Sequence, residues 1–264
     1  MFTSIRFVRA LDFAFREDPK DVLWVLLGRR GLQRLVKQVR RERYRFFRTG
    51  RLHYEQLGRW FGVSPQVIRE LAEEAASIVS TIAQQWPAEE GNLGHLKGAL
   101  ALYVVTRLAK PEIMVETGVA AGISSAFALD AMDRNGKGIL YSIDVKNYDH
   151  AHIPEEMPTG AMIPANLRHR WKLVQGNSRR LLRELLVEVD AIDVFLHDSL
   201  HTREQMLWEY TVAWEALRVN GLLLSDNVEQ HKAFQEFCAG KKAPFMLGHS
   251  VWRGPHLGIA RKMR

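Results

Sequence analysis

The chain has 264 residues, 47% of them hydrophobic and 25% charged, a globular composition that excludes a disordered or fibrous protein. A single cysteine, Cys238, excludes an internal disulfide framework and a cysteine-based zinc cluster. The formal charge of +7 is concentrated at the start, because residues 1–50 hold 13 Lys/Arg and only five Asp/Glu.

The N-terminal residues mix arginines and acids among apolar side chains, unlike a secretory signal peptide. The longest apolar run there, residues 22–27, is far shorter than the ~20 residues needed to span a bilayer. We therefore expect a soluble, cytoplasmic protein.

The first ninety or so residues have helical spacing of their apolar positions throughout. Ser64 and Pro65 are typical of a helix start, as the cap and the first helical residue. The sequence predicts an all-helical, basic appendage over residues 1–94.

The function of this basic segment has more than one interpretation. The favoured one is an amphipathic helix that packs on the rest of the chain or on a second subunit, which predicts a homo-oligomer. Contact with an anionic membrane or a nucleic acid is less favoured. A helix-turn-helix with its turn at Gly62 is a further, weaker interpretation.

From residue 95 onward, helical segments alternate with short apolar runs. The runs read EIMVETG, GILYSIDV, WKLVQGN, AIDVFLHD, GLLLSDN, APFMLGHSVW and HLGIARKM. Alternation of this kind predicts an α/β domain with a mostly parallel sheet over residues 95–264, and the last two runs predict an antiparallel edge hairpin.

Ligands of such sheets bind at the carboxyl ends of the strands. Five predicted strands end in polar residues, namely Glu116–Gly118, Asp144, residues 176–178, residues 198–201 and Asp226–Asn227. A binding site is therefore expected where these ends meet.

The first of these ends is a turn with glycines at Gly118 and Gly122, which allow a tight backbone and a close approach by a ligand. The dinucleotide fingerprint has two further glycines where this chain has Ala120 and Ile123. The loop therefore disfavours an NAD-dependent oxidoreductase.

Two other strand ends suit a nucleoside. Asp144 ends the second strand, where an acid typically accepts hydrogen bonds from a ribose. Asn177 and Ser178 follow the third strand and suit an adenine edge, although both residue types also cap helices.

These motifs in this order, with VETGVAAGISS first, resemble class I S-adenosylmethionine-dependent methyltransferases over residues ~95–264. The chain is most similar to the small-molecule O-methyltransferases of the catechol, caffeoyl-CoA and macrolide-sugar types. The resemblance implies a Rossmann-like seven-stranded sheet, S-adenosylmethionine as cofactor and a small-molecule hydroxyl as acceptor. The cofactor-binding residues that it implies are Glu116, Gly118, Gly122, Ser124, Asp144, Asn177, Ser178 and Asp198.

The metal-dependent relatives hold a divalent cation between the fourth and fifth strands. The matching residues here are Asp198, Asp226 and Asn227, an oxygen-only set suited to Mg²⁺. The catechol-type enzymes have a lysine base three residues after the first aspartate, where this chain has His201, as in the macrolide-sugar type. His197, on the opposite face of the strand from Asp198, is interpreted as a packed or capping residue.

Alternatives to this function remain open. Asp198 and Ser199 could merely cap the next helix. A related branch of the same fold is associated with cephalosporin hydroxylation, and a nucleic-acid- or membrane-associated module with a vestigial cofactor site is a non-enzyme alternative. The long connection after the second strand offers further candidate acceptor contacts, Tyr148, Asp149, His150 and His152.

Overall fold

A computed structural model of the chain describes residues 51–85, 95–145, 157–228, 230, 232–249 and 255–264. The basic residues 1–50, and with them most of the predicted appendage, lie outside the described residues. So do the candidate acceptor contacts Tyr148, Asp149, His150 and His152, and the predictions made for these residues remain predictions.

Within residues 51–85 and 95–109, four helices precede the sheet, and the first described segment begins inside the predicted helical region. They are α1 (Arg51–Phe61), α2 (Pro65–Glu74), α3 (Ala76–Gln85) and α4 (His95–Ala109). The predicted start of α2 is confirmed, because the Ser64 hydroxyl accepts the backbone N–H of Val67 and Pro65 is the first helical residue.

Strands and helices then alternate along the chain. The strands are β1 (Ile113–Thr117), β2 (Ile139–Asp144), β3 (Trp171–Gln175), β4 (Ile192–His197), β5 (Leu217–Ser225), β6 (Phe245–His249) and β7 (Pro255–Arg261). The helices between them are α5 (Ile123–Arg134), α6 (Ser178–Val189), α7 (Arg203–Ala216) and α8 (Ala233–Lys241), and a 3-10 turn (Ala165–Arg170) precedes β3.

The seven described strands form one sheet in the order β3-β2-β1-β4-β5-β7-β6. Strands β1 to β5 pair in parallel, whereas β7 pairs antiparallel with both β5 and β6. The predicted Rossmann-like sheet with an antiparallel edge hairpin is therefore confirmed. The strand order reverses between β1 and β4, and this switch point is where ligands bind in sheets of this kind.

The central strands are buried on both faces, which explains their nearly continuous apolar sequences. Alternate residues of β4 point to opposite sides: Val194 and Leu196 pack in one hydrophobic cluster, and Phe195 packs in the other. The first cluster also contains residues of α4 and α5, and the second contains residues of α6, α7 and α8. The sheet is thus covered by helices on both faces.

Helices α1 to α3 share the first of these clusters, through residues that include Ile68, Ile78 and Ile82. Polar contacts reinforce this packing, because the Glu74 carboxylate accepts hydrogen bonds from Tyr103 and Arg107 of α4. The described part of the N-terminal region is therefore packed on the α/β part. The predicted boundary between residues 94 and 95 falls beside residues that the structure does not describe.

None of the helices in the described ranges is long and apolar enough to cross a membrane.

Candidate active site

The carboxyl ends of β2, β1, β4 and β5 are joined by backbone hydrogen bonds that continue past the strands. Gly118 donates to the Ile143 carbonyl at 2.9 Å, and Asp198 donates to the Thr117 carbonyl at 2.8 Å. Asp226 donates to the His197 carbonyl at 2.9 Å. Gly118, Asp198 and Asp226 therefore follow one another across the switch point of the sheet.

The turn after β1 passes very close to the end of β4. Gly118 has a φ of 87°, and a Cβ atom built on it would overlap the carbonyl group of Asp198. Only glycine combines this backbone conformation with this contact. Gly122 lies against Gly160, and Ala120, at the position of a fingerprint glycine, also has a positive φ of 53°.

Asp144 holds this turn in place. One oxygen of its carboxylate accepts the backbone N–H groups of Val119 and Ala120, at 3.1 and 2.7 Å, and the other accepts that of Val145 at 2.7 Å. The side chain thus joins the end of β2 to the glycine turn. The oxygen that accepts from Val145 has a second lone pair, so one ribose contact stays compatible with these bonds and remains a prediction.

Glu116 is fully buried at the end of β1. Its Oε1 atom accepts hydrogen bonds from Ser125 and Ser142, both at 2.6 Å, whereas its Oε2 atom has no partner in the described part of the chain. Burial, opposed by the two serine bonds and assisted by the Asp144 charge, raises the pKa of Glu116 to about 7.

The turn between β3 and α6 uses its polar residues locally. Asn177 is the N-cap of α6, because its side chain accepts the backbone N–H of Arg179 at 2.8 Å. The Ser178 hydroxyl donates to Glu209 at 2.6 Å. The capping interpretation of Asn177 is therefore confirmed. Adenine contacts by these residues, and the predicted cofactor contact of the partly buried Ser124, remain predictions.

Asp198, His201 and Asp226 come together at the ends of β4 and β5. One potential ligand atom from each lies within 4.8 Å of the other two. Asp198 Oδ1 and His201 Nε2 are 3.7 Å apart, and the two side chains are 27% and 21% exposed. Two carboxylates and an imidazole, partly open to solvent, fit a divalent cation.

The electrostatics of this cluster favour a positive ligand. Desolvation first, and then the neighbouring carboxylates of Asp226, Glu116 and Asp144, raise the pKa of Asp198 well above its usual range. A bound cation would counter the repulsion between these carboxylates. Asn227 directly follows Asp226 with a left-handed backbone, φ 52°, at the same strand end.

Helix α7 begins too late in the chain for Asp198 and Ser199 to be its N-terminal caps. Its first residue is Arg203, and its N-cap is Thr202, whose hydroxyl accepts the backbone N–H of Gln205 at 3.3 Å. Asp198 and Ser199 therefore do not cap this helix, and that alternative is wrong.

His197 and His201 lie in different environments. His197 is fully buried, and its Nδ1 atom is 2.5 Å from a carboxylate oxygen of Glu209. Its ring lies edge-to-face against that of His201, with 5.4 Å between the centroids. The interpretation of His197 as a packed residue agrees with this burial, and His201 is the more accessible histidine.

Sequence reasoning missed Glu209, the buried carboxylate of α7 that joins several of these segments. A signal for it was present, since Glu209 lies three residues after Met206 and four before Ala213, on the apolar face of the helix. An acid on such a face is costly unless it is paired or hydrogen-bonded.

Comparisons with known proteins give one family match. Residues 115–228 match a family model described as a methyltransferase domain, and this range contains every predicted site residue from Glu116 to Asn227. The resemblance to methyltransferases and the predicted enzyme class, a methyltransferase, are therefore confirmed. No curated protein matches the chain.

Several solved structures resemble the chain at low sequence identity. One is the O-methyltransferase TomG from Streptomyces achromogenes, involved in tomaymycin synthesis and in complex with S-adenosylmethionine; it is 16% identical, with a TM-score of 0.49 over 75% of this chain and 90% of that one. Another is an O-methyltransferase from Bacillus cereus in complex with S-adenosylhomocysteine, 14% identical, with a TM-score of 0.49 over 73% and 90%. A third is the S-adenosylhomocysteine-bound methyltransferase PaMTH1 from Podospora anserina, 15% identical, with a TM-score of 0.48 over 75% and 88%.

Proposed function

We propose that the chain transfers a methyl group from S-adenosylmethionine to a hydroxyl of a small molecule. The observation that carries the proposal is the meeting of the glycine turn with the Asp198, His201 and Asp226 cluster at the switch point of the sheet. A donor in the turn and an acceptor at the cluster would then be neighbours, and methyl transfer needs mainly such alignment.

The proposed donor site is the edge formed by β1, β2 and the β3–α6 turn. Its members are Glu116, Gly118, Gly122, Ser124, Asp144, Asn177, Ser178 and Asp198. The buried, oxygen-rich end of β1 suits the positively charged methionine part of the donor, because a cation would stabilise the ionised form of Glu116. Asp144 suits the ribose, since it is buried and one of its carboxylate oxygens keeps a free lone pair.

The proposed acceptor site is the cluster at β4 and β5. Asp198, Asp226 and Asn227 would hold a divalent cation, Mg²⁺ by their chemistry, and the cation would supply positive charge beside the acceptor oxygen. We assign His201 as the base that takes the hydroxyl proton, because imidazole titrates near neutrality. The oxygen lone pair then forms the new O–C bond, and the electron pair of the broken C–S bond stays on sulfur.

Calorimetry with S-adenosylhomocysteine and with NAD tests the donor site. We expect S-adenosylhomocysteine to bind and NAD not to bind; the reverse result would contradict the proposal. Transfer itself is tested with labelled S-adenosylmethionine against a set of phenols and sugars, with Mg²⁺ and with EDTA. If labelled products form equally well in EDTA, the proposed role of the cation is contradicted, whereas the proposed methyltransferase activity is not.

The role of His201 needs a variant, because its imidazole lies close enough to act either as a base or as a ligand. His201→Gln should reduce transfer about 100-fold or more, the usual contribution of a general base. Its affinity for Mn²⁺ distinguishes the two roles. A base leaves Mn²⁺ affinity within about threefold of the wild type, whereas a tenfold loss would make His201 a ligand.

A further inference from the structure

Glu209 of α7 is a fully buried carboxylate at this end of the sheet, and several side chains donate to it. Its Oε2 atom accepts from Thr117 and from His197, each at 2.5 Å. Its Oε1 atom accepts from Ser178 at 2.6 Å, Gln205 at 2.7 Å and Ser199 at 2.9 Å. Five side chains therefore share one carboxylate.

Three of the five donors are sequence neighbours of proposed site residues, and a fourth, Ser178, is itself one of them. Thr117 separates Glu116 from Gly118, and Ser178 follows Asn177. His197 and Ser199 stand on either side of Asp198. A single carboxylate is thus bonded to the end of β1, the β3–α6 turn and the end of β4, three segments that are far apart in the chain.

Core stability alone does not require a buried carboxylate at this position. A buried carboxylate loses its hydration, and well-packed apolar residues often stabilise a core as well as a buried ion pair does. The hydrogen bonds offset that loss: although burial would raise the pKa of Glu209, bonds from His197, Ser178 and Thr117 lower it to about 2. What an apolar residue could not supply is a fixed distance between the three segments.

We propose that Glu209 is a positioning residue that holds the donor-binding turns and the Asp198 cluster in their relative places without touching either ligand. The inference rests on the proposed function, because the two ligands are the methyl donor and a divalent cation. Helix α7 suits this role, since Met206, Tyr210 and Ala213 bury it in the second hydrophobic cluster and so fix the backbone that carries Glu209.

The test compares Glu209→Ala, Glu209→Gln and a control, Glu215→Ala, which removes an exposed acid from the same helix. S-adenosylhomocysteine affinity is measured by calorimetry and Mn²⁺ affinity by electron paramagnetic resonance, below the melting temperature of each variant. We expect Glu209→Ala to weaken both affinities at least tenfold and the control to change neither by more than twofold.

Glu209→Gln should restore most of both affinities. The amide has the same length, and its oxygen can still accept from Ser178, Ser199 and Gln205. Its NH₂ group can donate to the Thr117 hydroxyl and to the other tautomer of His197. If Glu209 had only a structural role, its substitution would lower the melting temperature without reducing the affinity of the folded protein for either ligand.

A folded Glu209→Ala that keeps both affinities within twofold of the wild type would overturn the inference. If Glu209→Ala does not fold, Thr117→Val and Ser199→Ala, which each remove one bond to Glu209, decide the matter. We expect Thr117→Val to bind S-adenosylhomocysteine at least threefold more weakly, or Ser199→Ala to bind Mn²⁺ at least threefold more weakly. Unchanged affinities in both variants would overturn the inference. A wild-type protein that does not bind S-adenosylhomocysteine contradicts the proposed function itself, and the inference with it.

Discussion

Carboxylates at the same end of the sheet are in opposite electrostatic states: we call Glu209 the completed group, and Glu116 and Asp198 the uncompleted group. Glu209, on the α7 side, is bonded by five donors, and the pKa of its carboxyl is lowered to about 2. Glu116 and Asp198, at the strand ends, have pKa values that are raised first by burial and then by the charges of neighbouring carboxylates. The first group is complete within the protein, whereas ionisation of the second would leave negative charge that the protein does not compensate.

The difference indicates which group is prepared for a ligand. Buried negative charge that the protein leaves uncompensated is costly, and such perturbed groups concentrate at functional sites. Both ligands of the proposed function carry positive charge: a sulfonium with an ammonium group in the donor, and a divalent cation at the acceptor. The predictions below test this contrast between a completed and an uncompleted group.

The largest effect is expected from Asp226→Ala, which removes a negative charge beside Asp198. Losing one ligand of the cation should reduce Mg²⁺-dependent transfer about 1000-fold, which corresponds to about 4 kcal/mol at 1.36 kcal/mol per tenfold. S-adenosylhomocysteine affinity should stay within about threefold, since Asp226 belongs to the acceptor side. Calorimetry and labelled-methyl transfer provide the two measurements, and an equal loss in both would mean that the two sites are not separable.

Gly118→Ala tests the contact between the two ligand sites. The new Cβ would overlap the Asp198 carbonyl, and the left-handed backbone adds strain of its own. We expect the free energy of unfolding to fall by about 3–5 kcal/mol, measured by urea denaturation.

The matched control is Gly136→Ala, because Gly136 also has a left-handed backbone, φ 69°, but open space around its Cβ position. It should cost only about 1 kcal/mol. Equal costs for the two variants would show that backbone strain alone, and not the contact with Asp198, requires glycine at position 118.

Much of this site was predictable from the sequence because its residues follow apolar strands. The rule that parallel strands end together brings Gly118, Asp144, Asp198 and Asp226 to one edge without any knowledge of contacts. Resemblance to a family then gave the proposed roles. The mostly parallel sheet was predicted from the alternation of strands and helices, and the antiparallel edge hairpin from the last two apolar runs.

What the sequence did not predict are side-chain partners from distant segments. The sequence places Glu209 on the apolar face of a helix, but it does not show that Thr117, 92 residues earlier, donates to it. The same holds for Ser142, which reaches Glu116 from the adjacent strand. Such pairs depend on strand register and side-chain rotamers, which local sequence patterns do not encode. The hydrogen bonds to Glu209 were therefore found only in the structure.

Glu116→Gln should change how stability depends on pH. The pKa of Glu116 is about 7 in the folded protein against an ordinary 4.5, so its stabilising contribution is complete below pH 4.5 and is lost as the pH rises through 7. Gln does not titrate. Relative to the wild type, the variant should therefore gain roughly 2 kcal/mol between pH 5 and pH 8, measured by urea unfolding.

The control for this prediction is Glu112→Gln, since Glu112 is an exposed acid just before the same strand. Its stability relative to the wild type should change by less than about 0.5 kcal/mol over the same interval. If both variants respond to pH alike, Glu116 does not belong to the uncompleted group, and the negative charge is confined to the ends of β4 and β5.

The smallest effect is expected at Glu74, a completed carboxylate far from the strand ends in sequence. It accepts from Tyr103 at 2.7 Å and from Arg107 at 2.9 Å; burial opposes ionisation, but these bonds lower its pKa. Glu74→Gln keeps one acceptor oxygen and loses the charge, so unfolding should become easier by about 1 kcal/mol, and the exposed Glu73→Gln should be neutral. Because Tyr103 and Arg107, which donate to Glu74, both lie in α4 before the sheet, S-adenosylhomocysteine affinity should not change. A weaker affinity for S-adenosylhomocysteine would show that the helices before the sheet also contribute to the site. The contrast between Glu209 and the carboxylates at the strand ends does not predict such a contribution.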